Sequence, residues 1–189
     1  MERRPTLSLN EWAVLGLLVE RARHGYDIAA ELRSGTALGD VWRVDRPLVY
    51  RAIERLDALG LVAPRRQEQG TAGPRRTIYG PTRRGRSALR AWLATPVVHL
   101  RDIRSALLLK LALVRRLGID PVPLIEAQRE ALAPRFEQLA APPDDPADLA
   151  GLWRHHSADA AVAFLDALAR RSTVAVSSSW PRTENCPAS

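Results

Sequence analysis

Residues 45–62, DRPLVYRAIERLDALGLV, constrain the fold more than any other stretch of the chain. Val49, Ala52, Ile53, Leu56, Leu59 and Leu61 recur at helical spacing, whereas Arg46, Tyr50, Arg51 and Arg55 fall to the side or on the opposite face. One face is therefore built for a core, and the other carries a row of cations with a phenol. Pro47 suits an opening turn, where a missing N–H costs little. Gly60 ends the segment, because glycine enters the left-handed conformation without penalty. A short helix that offers Arg and Tyr near its start and then runs into a strand has the layout of a DNA-reading helix.

Charge supports this reading through its distribution. Up to Thr95 there are 17 arginines, no lysine and 10 acids, while from Pro96 onward 11 cations face 11 acids, so the net charge of +7 belongs to the first half. A basic half joined to a neutral half predicts one module that meets a polyanion and another with a separate task.

The remaining composition excludes several classes. With 46% apolar and 26% charged residues the 189-residue chain can bury a core and is not disordered as a whole. The longest apolar stretch, residues 12–19, is far short of the roughly 20 residues a membrane span needs. The start shows no export signal, and the single cysteine, Cys186, supports neither a disulfide framework nor a cysteine metal cluster. A cytoplasmic protein without membrane partners is expected.

In chain order, Ser8-Leu9-Asn10-Glu11 fits a capping box that opens a first helix carrying Trp12, Leu15, Leu18 and Val19. A second helix is expected over 26–33, followed by a loop at 34–39 and the cationic helix. These three must share a core, since each has one apolar stripe. The pattern then changes period. Residues 62–67 and 77–80 read as the strands of a β-hairpin with Arg65, Arg66, Arg75 and Arg76 on its rim, and 83–93 as another helix with Leu89, Trp92 and Leu93 on its buried side.

The second half has apolar positions at Ile103, Leu107, Leu111 and Val114 before a break at Gly118. A helix is expected over 122–139, kinked or shortened by Pro134, and a longer one over 147–171 beyond a proline-rich linker. On the last, Leu149, Leu152, Trp153, His156, Ala160, Ala163, Phe164 and Leu168 approximate a seam at spacings of three and four. The expected division is 1–96, 97–172 and a disordered tail over 173–189.

The leading LSLNEWAVLGLL, the HGYDIAAEL segment at 24–32, VYRAIERLDALGLV and RRTIYGPTRRG at 75–85 occur in an order and spacing that resemble the PadR family of winged helix-turn-helix transcriptional regulators. The resemblance covers roughly the first half. It implies a mainly α protein, with an N-terminal winged helix-turn-helix domain of three helices plus a β-hairpin wing, followed by an α-helical dimerisation domain. It also implies a homodimer whose two reading helices enter successive major grooves of a pseudo-palindromic operator on double-stranded DNA.

Within that frame Arg46 and Arg51, near the helix start, are the candidates for base edges, since that end points deepest into the groove. Tyr50 and Arg55 are candidates for phosphates, and Arg65, Arg66, Arg75 and Arg76 for backbone or minor-groove contacts. Other roles stay open: Tyr50 can pack over Trp42, Arg55 can pair with acids on its own helix, and Tyr79 can join hairpin to helix. Trp12, Trp42 and Trp92 are expected in the core, whereas Trp153 is a candidate for holding a small aromatic effector at the dimer seam.

His155 and His156 are adjacent, so they project about 100° apart on a helix and are not expected to share a metal. His155 and Asp159 have i, i+4 spacing but no evident third ligand. No catalytic triad, phosphate-cradling glycine loop or HExxH pattern occurs, so neither an enzyme nor a cofactor is expected. The reading is a homodimeric DNA-binding regulator acting as a repressor and released by an aromatic effector. Its rival is a winged-helix adaptor that binds an acidic protein without sequence-specific DNA binding.

Overall fold

The computed structural model describes residues 6–70 and 73–177, with side chains except those of 68–70, 73–76 and 172–177. The capping box is present: the Ser8 hydroxyl accepts from the Glu11 N–H at 3.4 Å, and the Glu11 carboxylate accepts from the Ser8 N–H at 2.7 Å. It opens α1 (Leu9–Glu20), which is buried from Glu11 through Leu18. A helix with every face covered is the centre of a layered domain rather than one side of it.

Around α1 the other elements each contribute one apolar stripe. Helix α2 (Gly25–Glu31) starts at His24, whose Nδ1 accepts from the Tyr26 N–H at 3.2 Å. The connection to the next helix is closed by Trp42, whose indole N–H donates to Asn10 Oδ1 at 2.9 Å. Helix α3 (Arg46–Ala58) buries Val49, Ala52, Ile53 and Leu56. It ends at Gly60, with φ +65°, where the Leu61 N–H returns to the Leu56 carbonyl at 2.9 Å. This left-handed stop turns the chain directly into the hairpin.

The hairpin consists of β1 (Val62–Gly70) and β2 (Gly73–Pro81), antiparallel with Val62 opposite Pro81 and Pro64 opposite Tyr79. Both strands extend beyond the expected bounds, and irregularities follow Pro64 and Glu68. The base of the hairpin is tied to the α1–α2 connection, since Arg23 and Tyr79 exchange two backbone hydrogen bonds of 3.1 and 3.0 Å. Helix α4 (Arg83–Ala94) is capped by Thr82 and returns beneath α1, where Trp92 stacks on Trp12 with ring centroids 4.8 Å apart and planes 9° off parallel.

A 3-10 turn (Leu100–Asp102) and a π turn (Ile103–Leu107) lead into α5 (Leu108–Arg116). Its buried face is Leu109, Lys110, Leu113 and Val114, together with Leu107 of the π turn, so Ile103 and Leu111 are only half-buried. Seven α-helices and one two-stranded sheet occur among the described residues, giving the expected mainly α class.

The chain divides into two units at Asp120 rather than at Pro96. The physical reason is α5. A Cβ on Gly16 would lie 2.6 Å from the Leu113 side chain, so α5 crosses α1 at near contact and belongs to the first unit. The second unit contains α6 (Val122–Gln138) and α7 (Leu149–Ser177), which pack on each other. Helix α6 passes through Pro134 without a break and ends close to it, and α7 extends into the expected tail as far as Ser177. The remainder of that tail, from residue 178, lies outside the described residues. No described helix is long and apolar enough to cross a membrane.

The expected seam on α7 is not the face that α7 buries in its own chain. The buried positions are Gly151, Ala158, Ala161 and Leu165, whereas Leu149 and Trp153 are each 73% exposed and His156, Ala160 and Ala163 also face solvent.

Candidate nucleic-acid interface

Burial of Val49, Ala52, Ile53 and Leu56 turns the opposite side of α3 outward, so Arg46, Tyr50, Arg51 and Arg55 are all exposed. Their fates then diverge. Among the described residues Arg51 has no ion-pair partner. Arg55 reaches back across the domain, its Nε 3.1 Å from Glu11 Oε1, so the capping carboxylate of α1 and not an acid of α3 holds it.

Arg46 stands between two rings, its guanidinium carbon 5.4 Å from the centroid of Tyr26 and 5.8 Å from that of Tyr50. Stacking of this kind keeps a guanidinium extended while leaving its N–H edge free to donate. Tyr26 was not among the sequence candidates. It is exposed at the start of α2, and the signal that pointed to it is Gly25: a Cβ there would lie 2.7 Å from the Tyr50 ring, so only glycine lets the start of α2 approach α3 this closely. Beside these rings lies an open cleft of about 470 Å³, lined in part by Tyr26, Arg33, Arg43, Asp45 and Arg46. Arg43 is held by Asp45 at 3.0 Å.

The wing arginines do not act as one set. Arg65 turns back along its own hairpin, donating to the Pro81 carbonyl at 2.5 Å and lying against Gly80. Arg66 is exposed and has an interaction of its own. The side chains of Arg75 and Arg76 lie outside the described residues. Tyr79 ties the hairpin to the α1–α2 connection through its backbone, by the pairing with Arg23.

Away from the exposed face of α3, four charges bind α1, α2 and α5 together. Arg23, 3% exposed, meets Glu20 at 2.6 Å, and Arg116 meets Glu20 and Glu31 at 2.9 Å each. Burial alone would raise the Glu20 carboxyl, but hydrogen bonds from Arg116 and Arg23 outweigh it and hold the group below the ordinary carboxylate range. Burial also draws the Arg23 guanidinium down. For Arg116 the same burial is overcome by its two carboxylates, which raise it. The chain's single lysine, Lys110, has no such partner among the described residues. It donates to the Thr95 carbonyl and lies 4.8 Å from the centroid of Trp92, and burial brings its pKa to about 8.

Trp153 lies exposed on α7.

No curated protein matches the chain. Among solved structures it is similar to a PadR-like transcription factor from Bacteroides fragilis, at 25% identity over 43% of this chain and 73% of that one, with a TM-score of 0.36. It is also similar to Bacillus subtilis PadR in complex with operator DNA, at 18% identity over 84% and 97% of the two chains, TM-score 0.45. The same Bacillus subtilis protein in complex with p-coumaric acid aligns at 18% identity over 88% and 99%, TM-score 0.42. Residues 14–91, which hold most of α1, all of α2, α3 and the hairpin, and most of α4, match the model of the PadR-like family. Over this segment the chain is similar to the PadR-like family of transcriptional regulators.

Proposed function

We propose that the protein is a homodimeric, cytoplasmic DNA-binding regulator that represses transcription by occupying a pseudo-palindromic operator, and that a small aromatic effector releases it. The observation that carries the DNA-binding part is the exposed Arg46, Tyr50 and Arg51 on a helix whose opposite face is fully engaged in the core. Arginine at such a position can grip guanine O6 and N7, or phosphate oxygens, with its planar fork. Tyr26 supports Arg46 from the side.

The dimer is supported by the apolar side chains that α7 leaves uncovered on one face, Leu149, Leu152 and Trp153. A second copy of α7 is the natural cover for such a stripe. Two reading helices then fit one duplex when they stand about 34–36 Å apart, and a small change at the seam weakens both contacts together. An effector stacked on Trp153 would act at that seam.

The test is gel-shift titration of the purified protein on its own upstream intergenic DNA against a scrambled duplex of equal length. Selective binding at a stoichiometry of two chains per site supports the proposal. Equal affinity for both duplexes, or none for either, rejects it in favour of an adaptor that binds an acidic protein.

A further inference from the structure

The adjacent histidines of α7 do not diverge as their spacing predicts. Their rings lie 5.0 Å apart at 53°, and one ligand atom from each of His155, His156 and Asp159 falls within 4.8 Å of the other two. The 100° offset between neighbouring helical residues fixes only the Cα–Cβ directions, and two rotatable bonds bring the ring nitrogens back together.

His155 is also oriented. Its Nδ1 lies 2.7 Å from the carbonyl oxygen of Leu139, an atom that can only accept, so Nδ1 carries a proton and donates. This turns Nε2 toward Asp159, whose Oδ2 is 3.5 Å away. A histidine whose Nδ1–H is held by a backbone carbonyl and whose Nε2 faces outward has the outer-shell arrangement typical of a metal ligand. Its ring is mostly buried, with 12% of the side chain exposed, whereas Asp159 is 60% exposed and His156 is open to solvent. One fixed ligand is therefore flanked by two that can adjust.

We propose that His155 Nε2, a ring nitrogen of His156 and a carboxylate oxygen of Asp159 bind a divalent transition-metal ion of the zinc class, with solvent completing its coordination. Two imidazoles and one carboxylate suit such an ion better than magnesium or calcium, which favour oxygen ligands alone. Bonds of about 2.0–2.1 Å place tetrahedral ligands about 3.4 Å apart, a contraction that rotation of the exposed His156 and Asp159 side chains supplies. The ion would fasten this turn of α7, through His155, to Leu139 at the end of α6.

The experiment is calorimetric titration of the tag-free full chain with Zn²⁺, paired with visible spectroscopy of the Co²⁺-loaded protein. Saturable binding of one ion per chain is expected, with Co²⁺ bands of a nitrogen and oxygen site. His156→Ala and Asp159→Asn alter exposed side chains, so helix content by circular dichroism should be unchanged while each weakens Zn²⁺ binding about tenfold or more. Cys186→Ser should leave binding intact. Absence of saturable binding, survival of full affinity in both variants, or loss of binding in Cys186→Ser would each overturn the proposal. The first outcome would leave His155 and Asp159 as an ordinary ion pair.

Discussion

Arg55 Nε lies 3.1 Å from Glu11 Oε1, so a residue of α3 is held by the carboxylate that caps the first helix. The pair crosses from α3 to α1, and Glu11 serves both partners at once. With Arg55 more than half exposed, screening leaves the ion pair worth about 0–1 kcal/mol. Arg55→Ala should therefore shift thermal stability only slightly. Glu11→Ala also removes half of the capping box and should cost about 1–2 kcal/mol in chemical denaturation. Equal losses in the two variants would contradict this ordering.

Arg51 is an exposed cation of α3 with neither an ion-pair partner nor a stacked ring among the described residues. Arg51→Ala is expected to reduce operator affinity by about 1–3 kcal/mol if it reads a base, with specificity relaxed at one position. If it holds a phosphate, the loss is uniform across sequences and the salt slope shallower by about one. Gel-shift titration at several salt concentrations distinguishes these, and unchanged affinity and slope would remove Arg51 from the interface.

Tyr26 should matter through Arg46. An exposed cation–π contact is worth about 0.5–1 kcal/mol, so Tyr26→Ala should lower operator affinity by a similar amount. Tyr26→Ala added to Arg46→Ala should have a smaller effect than Tyr26→Ala alone, because the residue it supports is already gone. Strict additivity in that double-mutant cycle would place Tyr26 in a separate role.

At Gly85 the start of α4 lies close against the backbone that follows α3. A Cβ there would lie 2.0 Å from the Leu61 carbonyl oxygen, a backbone atom that cannot rotate away. Gly85→Ala should destabilise the first unit by about 1–3 kcal/mol, measured by urea unfolding, despite alanine's better helix propensity. A stabilised variant would mean that the start of α4 shifts freely.

Lys110 gives a pH signature. Its folded pKa, about 8, is below the usual 10.5, so between those values the unfolded chain binds more protons than the folded one, and stability rises with pH. The cost of burying the charge is fully present below about pH 8 and disappears toward pH 10.5. Wild-type protein should therefore gain stability relative to Lys110→Met between pH 8 and 10, by at most about 3 kcal/mol. Parallel stability curves for the two proteins would show that the ammonium is not confined as described.

Much of this architecture is legible in residue order because it rests on local rules. Ser8 and Glu11 announce a helix start, Gly60 a stop, and the spacing of Val49, Ile53 and Leu56 a buried face. What the sequence does not carry is the pairing of residues remote along the chain. Arg55 with Glu11, Arg116 with Glu20 and Arg46 with Tyr26 depend on how helices cross, and periodicity contains no information about crossing. The α7 stripe illustrates the same limit. Leu149 and Trp153 belong to a recognisable apolar pattern, yet the chain buries Ala158, Ala161 and Leu165 instead.

The crossing of α5 over Gly16 also determines where the molecule can be cut. A fragment ending at residue 96 would strip the cover from α1 and leave out Leu107, Leu109, Leu113 and Val114, all of them in the interior. It would also discard Arg116, leaving Glu20 and Glu31 with Arg23 as their one remaining cation among the described residues. The smallest self-sufficient N-terminal fragment therefore ends near Asp120, and shorter pieces should be prone to aggregate through the apolar trench that α5 vacates.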